Sequence, residues 1–386
     1  MLLGIDRLVR KDFNLVRGME LGLLSSMSSC DSKLNPTISL FQRARRVKLN
    51  TLFAPEHGLH AALQDQVAAP DTLYGKDLPV RSMYGKERKP SRDALKKVDA
   101  IVIDLLDIGT RYYTFVWSAM LMIKEAAAAG KRIFLLDRPN PLNGLTVQGP
   151  LIEDGFESFV GLYSIPVRHG MTIGEICMML SHQNGIGADL RVVKLQSWRR
   201  DTYFDENRLE WTIPSPNMPH FMTALVYPGM CLLEGTNVSE GRGTTRPFET
   251  FGAPWIDPRR LVCELDKRSI RGIELRVTWF VPTFHKYRGE LCGGVQIHVK
   301  NRHRFDPLIC GLEIIQTIMQ LYPKRFSWRQ PPYEFEKEKM PFDILIGNSW
   351  VRKEIEAGTS IKKISRRWMT ELRKFNTVRK KYLLYS

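Results

Sequence analysis

The chain has 386 residues, enough for about two domains and a sizeable core. Hydrophobic residues at 43% and charged residues at 25% are globular values, and no apolar run approaches the ~20 residues that a membrane span requires. The formal charge of +16 favours anionic partners such as nucleic acid, acidic lipid or an anionic cell-wall polymer, but half of that excess lies from Arg352 to the end, where a solvated helix face accounts for it.

The six cysteines, Cys30, Cys177, Cys231, Cys263, Cys292 and Cys310, are scattered without CxxC spacing, which argues against a zinc or redox motif and for buried small hydrophobes. The N-terminal MLLGIDRLVRKDF has no long apolar segment and meets Asp6 early. The expectation is therefore a cytoplasmic protein as the chain stands, or an exported one if a leader was removed.

Met19–Leu24 reads as a first strand, Pro36–Arg43 as a helix, and Val47–Phe53 as a second strand broken sharply by Ala54-Pro55-Glu56-His57-Gly58. Residues 60–97 are polar and loop-rich, with LPVRSMYG (78–85) as a short strand or hairpin arm. Val98–Asp104 is an apolar strand, Val116–Ala129 a helix closed by Gly130, and Arg132–Leu136 the next strand. Thr172 with Glu175 three residues on is a capping box that opens another helix, and Leu190–Leu195 is one more strand. Strands alternating with helices in this way predict a doubly wound, mostly parallel α/β sheet, followed by a smaller α+β domain. The boundary is placed between residues 1–205 and 206–386. In the second part, Leu275–Pro282 and Gly293–Val299 read as strands, Leu308–Tyr322 as a helix, residues 324–342 as a Pro- and aromatic-rich loop, and Ile361–Phe375 as a last amphipathic helix.

In such sheets ligands bind beyond the carboxyl ends of the strands, and that is where the polar clusters fall: Glu56-His57, Asp107 to Tyr113, and Asp137 to Asn140. There is no GxGxxG after the first strand, no P-loop and no GxSxG; Ser239 lacks a nucleophile-elbow pattern. Glu56 leads as a general acid, because a carboxyl at the end of a buried strand holds its proton in a partly dry cleft. His57 is placed to orient it or to touch substrate.

The stretch Cys231–Trp255, CLLEGTNVSEGRGTTRPFETFGAPW, is the densest in chemistry. Its glycines let backbone approach a ligand, Glu234 and Glu240 are candidates for a second carboxylate, and Arg242 and Arg246 can fork onto an anion. Two carboxyls facing one bond from different loops is what glycoside hydrolysis needs. A salt bridge to arginine is the competing reading for either glutamate. Arg111, Tyr112 and Tyr113 suit a sugar or carboxylate, and Asp137, Arg138, Asn140, His169 and Asn237 complete the substrate-binding candidates. His169 is equally a capping or core histidine. Asp104, Asp107, Asp137, Glu56 and His57 form an alternative oxygen-rich metal set, without a diagnostic spacing.

LFAPEHG (52–58), LPVRSMYG (78–85), VIDLLDIGTRYYT (102–114), LLDRPNPLNG (135–144), PVRHGMTIGE (166–175), PSPNMP (214–219), TALVYPG (223–229) and LLEGTNVSEGRGTTRPFETFGAPWI (232–256) together resemble the exo-acting β-N-acetylmuramidases, the NamZ-type family. The resemblance spans nearly the whole chain. It implies a Rossmann-like N-terminal domain, a smaller C-terminal one and a cleft between them. The implied reaction is removal of β-1,4-linked N-acetylmuramic acid from the non-reducing end of peptidoglycan fragments, muropeptides or disaccharides, with no cofactor, no metal and no nucleic acid. On this resemblance Glu56 of the matching PEHG segment is the catalytic acid, and by charge Arg242 or Arg111 holds the lactyl carboxylate of the substrate. Residues 25–31, SSMSSCD, depart from the family's usual turn after the first strand, which would matter if that loop lined the cleft. The rival readings are a non-catalytic muropeptide-binding protein and a metal-dependent hydrolase.

Overall fold

The computed structural model describes residues 1–85, 87–268 and 270–386. Seven strands form the first sheet: β1 (Glu20–Ser25), β2 (Lys48–Ala54), β3 (Thr72–Tyr74), β4 (Leu78–Ser82), β5 (Ala100–Asp104), β6 (Arg132–Leu136) and β7 (Leu190–Val193). Their order is β3-β4-β2-β1-β5-β6-β7, all parallel except β3, which pairs antiparallel with β4. The chain winds outward from β1 in one direction through β2 and β4 and in the other through β5, β6 and β7, so the expected doubly wound sheet is what forms.

Both faces of this sheet are dry. In β5, Ile101 and Ile103 enter one core while Ala100 and Val102 enter the other, the two-residue period of a strand buried on both sides. Helices α1 (Gly4–Arg10) and α2 (Thr37–Arg43) cover one face with Ile5, Leu8, Ile38 and Phe41. On the other lie α3 (Arg92–Lys96), α4 (Phe115–Ala128) and α5 (Ile173–Gln183), bringing Leu95, Trp117, Ile123, Ile176 and Leu180. Helix α5 begins with the predicted capping box: Glu175 N–H donates to the Thr172 hydroxyl at 3.2 Å and Thr172 N–H donates to the Glu175 carboxylate at 3.0 Å.

The second core face runs on without a break into the rest of the chain. Helix α6 (Phe221–Met230) leads to β8 (Thr250–Ala253), α7 (Pro258–Asp266), β9 (Ile273–Phe280), β10 (Cys292–Val299) and α8 (Pro307–Leu321). The three strands make an antiparallel sheet in the order β8-β10-β9, and Phe251, Val295, Leu312 and Ile315 share one apolar cluster with Trp117 and Ile103. Four short helices follow: α9 (Pro341–Ile346), α10 (Trp350–Glu356), α11 (Ile361–Arg367) and α12 (Met369–Arg379). The expected single last helix is thus two, joined at Trp368; Ile361, Ile364, Trp368, Leu372 and Phe375 are still the buried face, and Lys362, Lys363, Arg366, Arg367 and Lys374 are exposed. The C-terminus returns to the first sheet. Arg379 donates to the carbonyls of Gly144, Gly170 and Leu145, and Leu384 N–H to Glu175.

Two buried contacts fix the layers against each other. Arg138 forks onto Asp104, Nε to Oδ1 at 2.6 Å and Nη2 to Oδ2 at 2.9 Å, and also donates to Cys30 O, tying the ends of β5 and β6 to the loop after β1. Helices α6 and α8 cross where Gly229 meets Gly311; a Cβ on either glycine would run into the backbone of the other helix. Gly311→Ala is expected to lower stability by about 3 kcal/mol, the upper range for overpacking a close helix contact. The drop is readable as a shift of the urea midpoint, with activity per folded molecule retained.

Candidate active site

Beyond Ala54 the backbone turns through left-handed conformations at His57 (φ 70) and Gly58 (φ 72). The His57 ring nitrogen Nδ1 pairs with Leu63 O at 2.8 Å, folding the loop back on itself. That return brings Gln66 N–H to Glu56 Oε1 at 3.4 Å, while the Thr114 hydroxyl at the start of α4 donates to Oε2 at 2.6 Å. Glu56 is buried, held by two neutral donors and by no cation among the described residues.

Glu56 stands on the wall of a narrow cleft between the two halves of the chain. One side is Tyr112, Tyr113 and Thr114, placed ahead of α4; the other is Tyr227 of α6, Glu234 in the single turn that follows it, Arg242, and Tyr333-Glu334 from the long loop before α9. Ser215 and Asn217 of the Pro-rich segment close one edge, Asn217 donating to Gln64 at 2.7 Å. Tyr227 meets both Tyr112 and Tyr113, with ring centroids 5.7 and 6.2 Å away. The Tyr112 hydroxyl is taken by Pro228 O, and the buried Tyr113 hydroxyl faces Ser215.

Arg242 forms the cleft floor. Its Nη1 is 2.9 Å from Asp65, its Nη2 donates to Glu234 at 2.8 Å, and its Nε is 3.4 Å from Glu240. Glu234 is completed by the Tyr333 hydroxyl at 2.7 Å. Burial works against charge on Asp65, yet Arg242 and His285 hold its carboxyl below the usual range. Glu240 is fully buried, which also opposes its charge, but Lys286 at 2.9 Å, His285 at 3.2 Å and Arg242 outweigh this and keep it well below the ordinary carboxylate range.

These contacts correct several expectations. Glu240 does not line the cleft; it is the permanent anion that holds Arg242, His285 and Lys286 from behind. Arg242 lines the cleft, but its three nitrogens already face carboxylates, so it is not free to clamp a substrate anion. Arg111 points away and donates to the carbonyls of Pro150, Ile165 and Leu345; burial lowers its guanidinium to about 10. Asp137 accepts from Thr172, Gly174 and the Tyr385 hydroxyl and anchors the start of α5; burial, with Glu175 nearby, still pushes it up to about 7. Arg138 is committed to Asp104, and Asn140 bridges Met171 O and Leu142 N–H. His169 is a core histidine 3.5 Å from Asp107, and Asn237 pins the chain at Arg325 and Ser327. Arg111, Asp137, Arg138, Asn140, His169 and Asn237 do not line the cleft. The proposed metal set is likewise dispersed, and no group of three or more His, Cys, Asp or Glu among the described residues is arranged to hold an ion. The loop at residues 25–31 lies outside the cleft, its Ser29 bonded to Asp104 O.

Asp65, Tyr84, Tyr333 and Glu334 were not singled out from sequence. Asp65 and Glu334 sit in loops with no flanking strand to mark them. The one available signal was Tyr333-Glu334-Phe335 inside a long structureless stretch, where loops of that length tend to carry function.

Two family models match the chain: the N-terminal part of exo-β-N-acetylmuramidase NamZ over residues 21–222, and its C-terminal part over residues 225–385. A protein of Bacillus subtilis (strain 168) named peptidoglycan β-N-acetylmuramidase NamZ is 40% identical over 385 residues, covering 99% of this chain and 91% of that one. Crystal structures of two DUF1343 family proteins from Bacteroides fragilis NCTC 9343 are similar throughout. The first gives a TM-score of 0.89 at 30% identity and the second 0.75 at 26%, each covering 100% of this chain and 99% of its own. With sequence and fold matched from end to end, the chain belongs to the NamZ exo-β-N-acetylmuramidase family.

Proposed function

We propose that this protein is a glycoside hydrolase that removes terminal β-1,4-linked N-acetylmuramic acid from the non-reducing end of peptidoglycan fragments, muropeptides or disaccharides. Family membership and the name of the Bacillus subtilis relative support the reaction. The observation that carries it to residues is Glu56: a buried carboxyl, fixed by Thr114 and Gln66, facing a cleft whose other wall holds further carboxyls. Glycosidic cleavage needs one carboxyl to protonate the departing oxygen and a second to serve the opposite face of the sugar. Tyr112, Tyr113 and Tyr227 supply aromatic rings on the cleft wall for a sugar. Residues 1–205 and 206–386 then act as the two parts that meet at the cleft.

A chromogenic β-N-acetylmuraminide tests this directly. We expect release from the muraminide and not from the matching β-N-acetylglucosaminide, with Glu56→Gln lowering the rate by about 10²–10⁴-fold, the range for losing an acid–base carboxyl. Equal release from both sugars would remove the recognition of the lactyl group, and a fully active Glu56→Gln would remove the assignment of the residue.

Arg242 belongs to the scaffold in this reading. Arg242→Ala takes the cation from buried Asp65 and Glu234, while Glu240 keeps Lys286 and His285, and breaking a buried pair by removing one partner costs about 3–5 kcal/mol. The wild-type carboxyls of Asp65 and Glu240 lie below the usual range, so their stabilisation is complete at neutral pH and is lost only as pH falls through those depressed values. In the variant the orphaned groups gain stability by taking up protons. The melting-temperature gap between wild type and variant is therefore expected to be wide at neutral pH and to narrow as the pH falls into the acid range.

A further inference from the structure

Glu334 is distinguished from the other carboxyls of the cleft by what holds it. Asp65 and Glu234 have Arg242, Glu240 behind them has Lys286, and Glu56 has two donors. Glu334 accepts one hydrogen bond, from the neutral Tyr84 hydroxyl at 3.1 Å, and no cation pairs with it among the described residues. The groups that face it are Glu56 from the turn after β2, Asp65 from the loop beyond, Tyr84 after β4, and Glu234 with its Arg242 and Tyr333 partners. His57 lines the same cleft. Burial first, then Glu56 and Glu234, drive the Glu334 carboxyl well above its ordinary range, which favours its protonated form.

The chain aims this residue deliberately. Glu334 (φ 45) and Phe335 (φ 69) are successive non-glycine residues in left-handed backbone, a conformation that persists only where the surroundings enforce it. Phe335 does so by packing on Tyr84 and Phe159, with the Arg88 guanidinium 4.6 Å over its ring. The tyrosine that bonds Glu334 therefore also wedges the loop that presents it.

We propose that Glu334 is the general acid of the glycosidic cleavage, paired with Glu56 as the carboxylate of the dyad, and that Tyr84 is the positioning residue that orients Glu334. This assignment rests on the glycosidase reading above, moves the acid's role expected of Glu56 to Glu334, and replaces Glu234 and Glu240 as the second carboxyl. In the step itself the bond between the sugar's C1 and the bridging oxygen breaks, its electron pair goes to that oxygen, and the Glu334 proton lands there. The leaving sugar departs as an alcohol and Glu334 is left ionised. The water that replaces it at C1 returns a proton to the dyad, so the enzyme ends as it began.

Leaving-group dependence separates this role from a structural one. An N-acetylmuramyl-β-1,4-N-acetylglucosamine disaccharide needs a proton on its departing alkoxide, whereas an activated aryl muraminide expels a stable phenolate. Glu334→Gln is expected to slow the disaccharide by about 10²–10⁴-fold and the aryl substrate by less than about tenfold, and to flatten the alkaline limb of kcat/KM. Equal losses on both substrates, or an unchanged alkaline limb, overturn the proposal. Tyr84→Phe keeps the acid and removes a donor to its ionised form, so the Glu334 proton is held more tightly and the alkaline limb moves to higher pH. A limb that stays in place overturns the proposal even if Glu334→Gln fails to fold. A wild-type protein inactive on both substrates overturns the glycosidase reading itself, and this assignment with it.

Discussion

Everything about the cleft depends on one buried cation. The Arg242 guanidinium meets Asp65 from the loop after β2, Glu234 from the turn after α6 and Glu240 from the segment leading to β8, so three distant parts of the chain converge on one group. Its flat face lies 5.1 Å over the Phe248 ring. Only arginine has a planar fork that offers separate N–H groups to three carboxylates at once, and taking such an ion out of water is tolerable only when it is paired this completely. The contact draws the loop of the parallel sheet onto the second half of the molecule and so makes the cleft walls face each other. It also sets the charge inside. With Arg242 consumed by Asp65, Glu234 and Glu240, the carboxyls of Glu56 and Glu334 share a dry space with no cation of their own among the described residues.

The parallel sheet was legible because its strands are short apolar runs ending in polar, turn-forming residues. Buried on both faces, VDAIVID and RIFLL cannot be anything but interior, and the alternation of strand and helix leaves few topologies. What escaped was structure whose local signals conflict with its packing. Helix α6 carries Pro228 and Gly229, which read as a break. Tertiary contact overrides this, since Gly229 is there to let α8 approach, and the Pro228 carbonyl is bonded by the Tyr112 hydroxyl. Helix α7 did carry its start signal, Asp257 as cap with Pro258 first in the helix, and was passed over in a stretch read for its strands. The small strand β3 and helix α3 are each so short that a polar segment hides them.

The site was legible in the same uneven way. Glu56 stood out because a carboxyl between proline and a His-Gly turn at the end of a buried strand falls in a partly dry cleft, and the structure places it there, bonded to Gln66 N–H and to the Thr114 hydroxyl. The remaining strand-end clusters look equally chemical in sequence, yet Asp104, Arg138, Asp137 and Asn140 are consumed in satisfying one another and the backbone groups where strands stop and helices start. Buried polar groups must find partners, so a dense polar motif is as much a signature of that requirement as of a ligand. Glu334 shows the converse. Nothing around it in sequence demands a functional reading, because its significance comes from Tyr84, 250 residues away in the chain, and from Glu56.

The distribution of charge fits the reaction better than the total does. The chain is strongly basic, but on α11 and α12 the lysines and arginines other than Arg379 are exposed, while the cleft is lined by four carboxyls and a single arginine. Cleavage at a glycosidic carbon passes through an oxocarbenium-like state, so positive charge grows on the sugar as the leaving oxygen takes up its proton. On the proposal made for Glu334, a carboxyl that resists ionisation because burial and its acidic neighbours oppose a further negative charge loses that obstacle as the sugar turns positive beside it. On that assignment, the absence of a cation next to Glu334 and Glu56 among the described residues favours the transition state: the missing positive charge is the one the substrate develops.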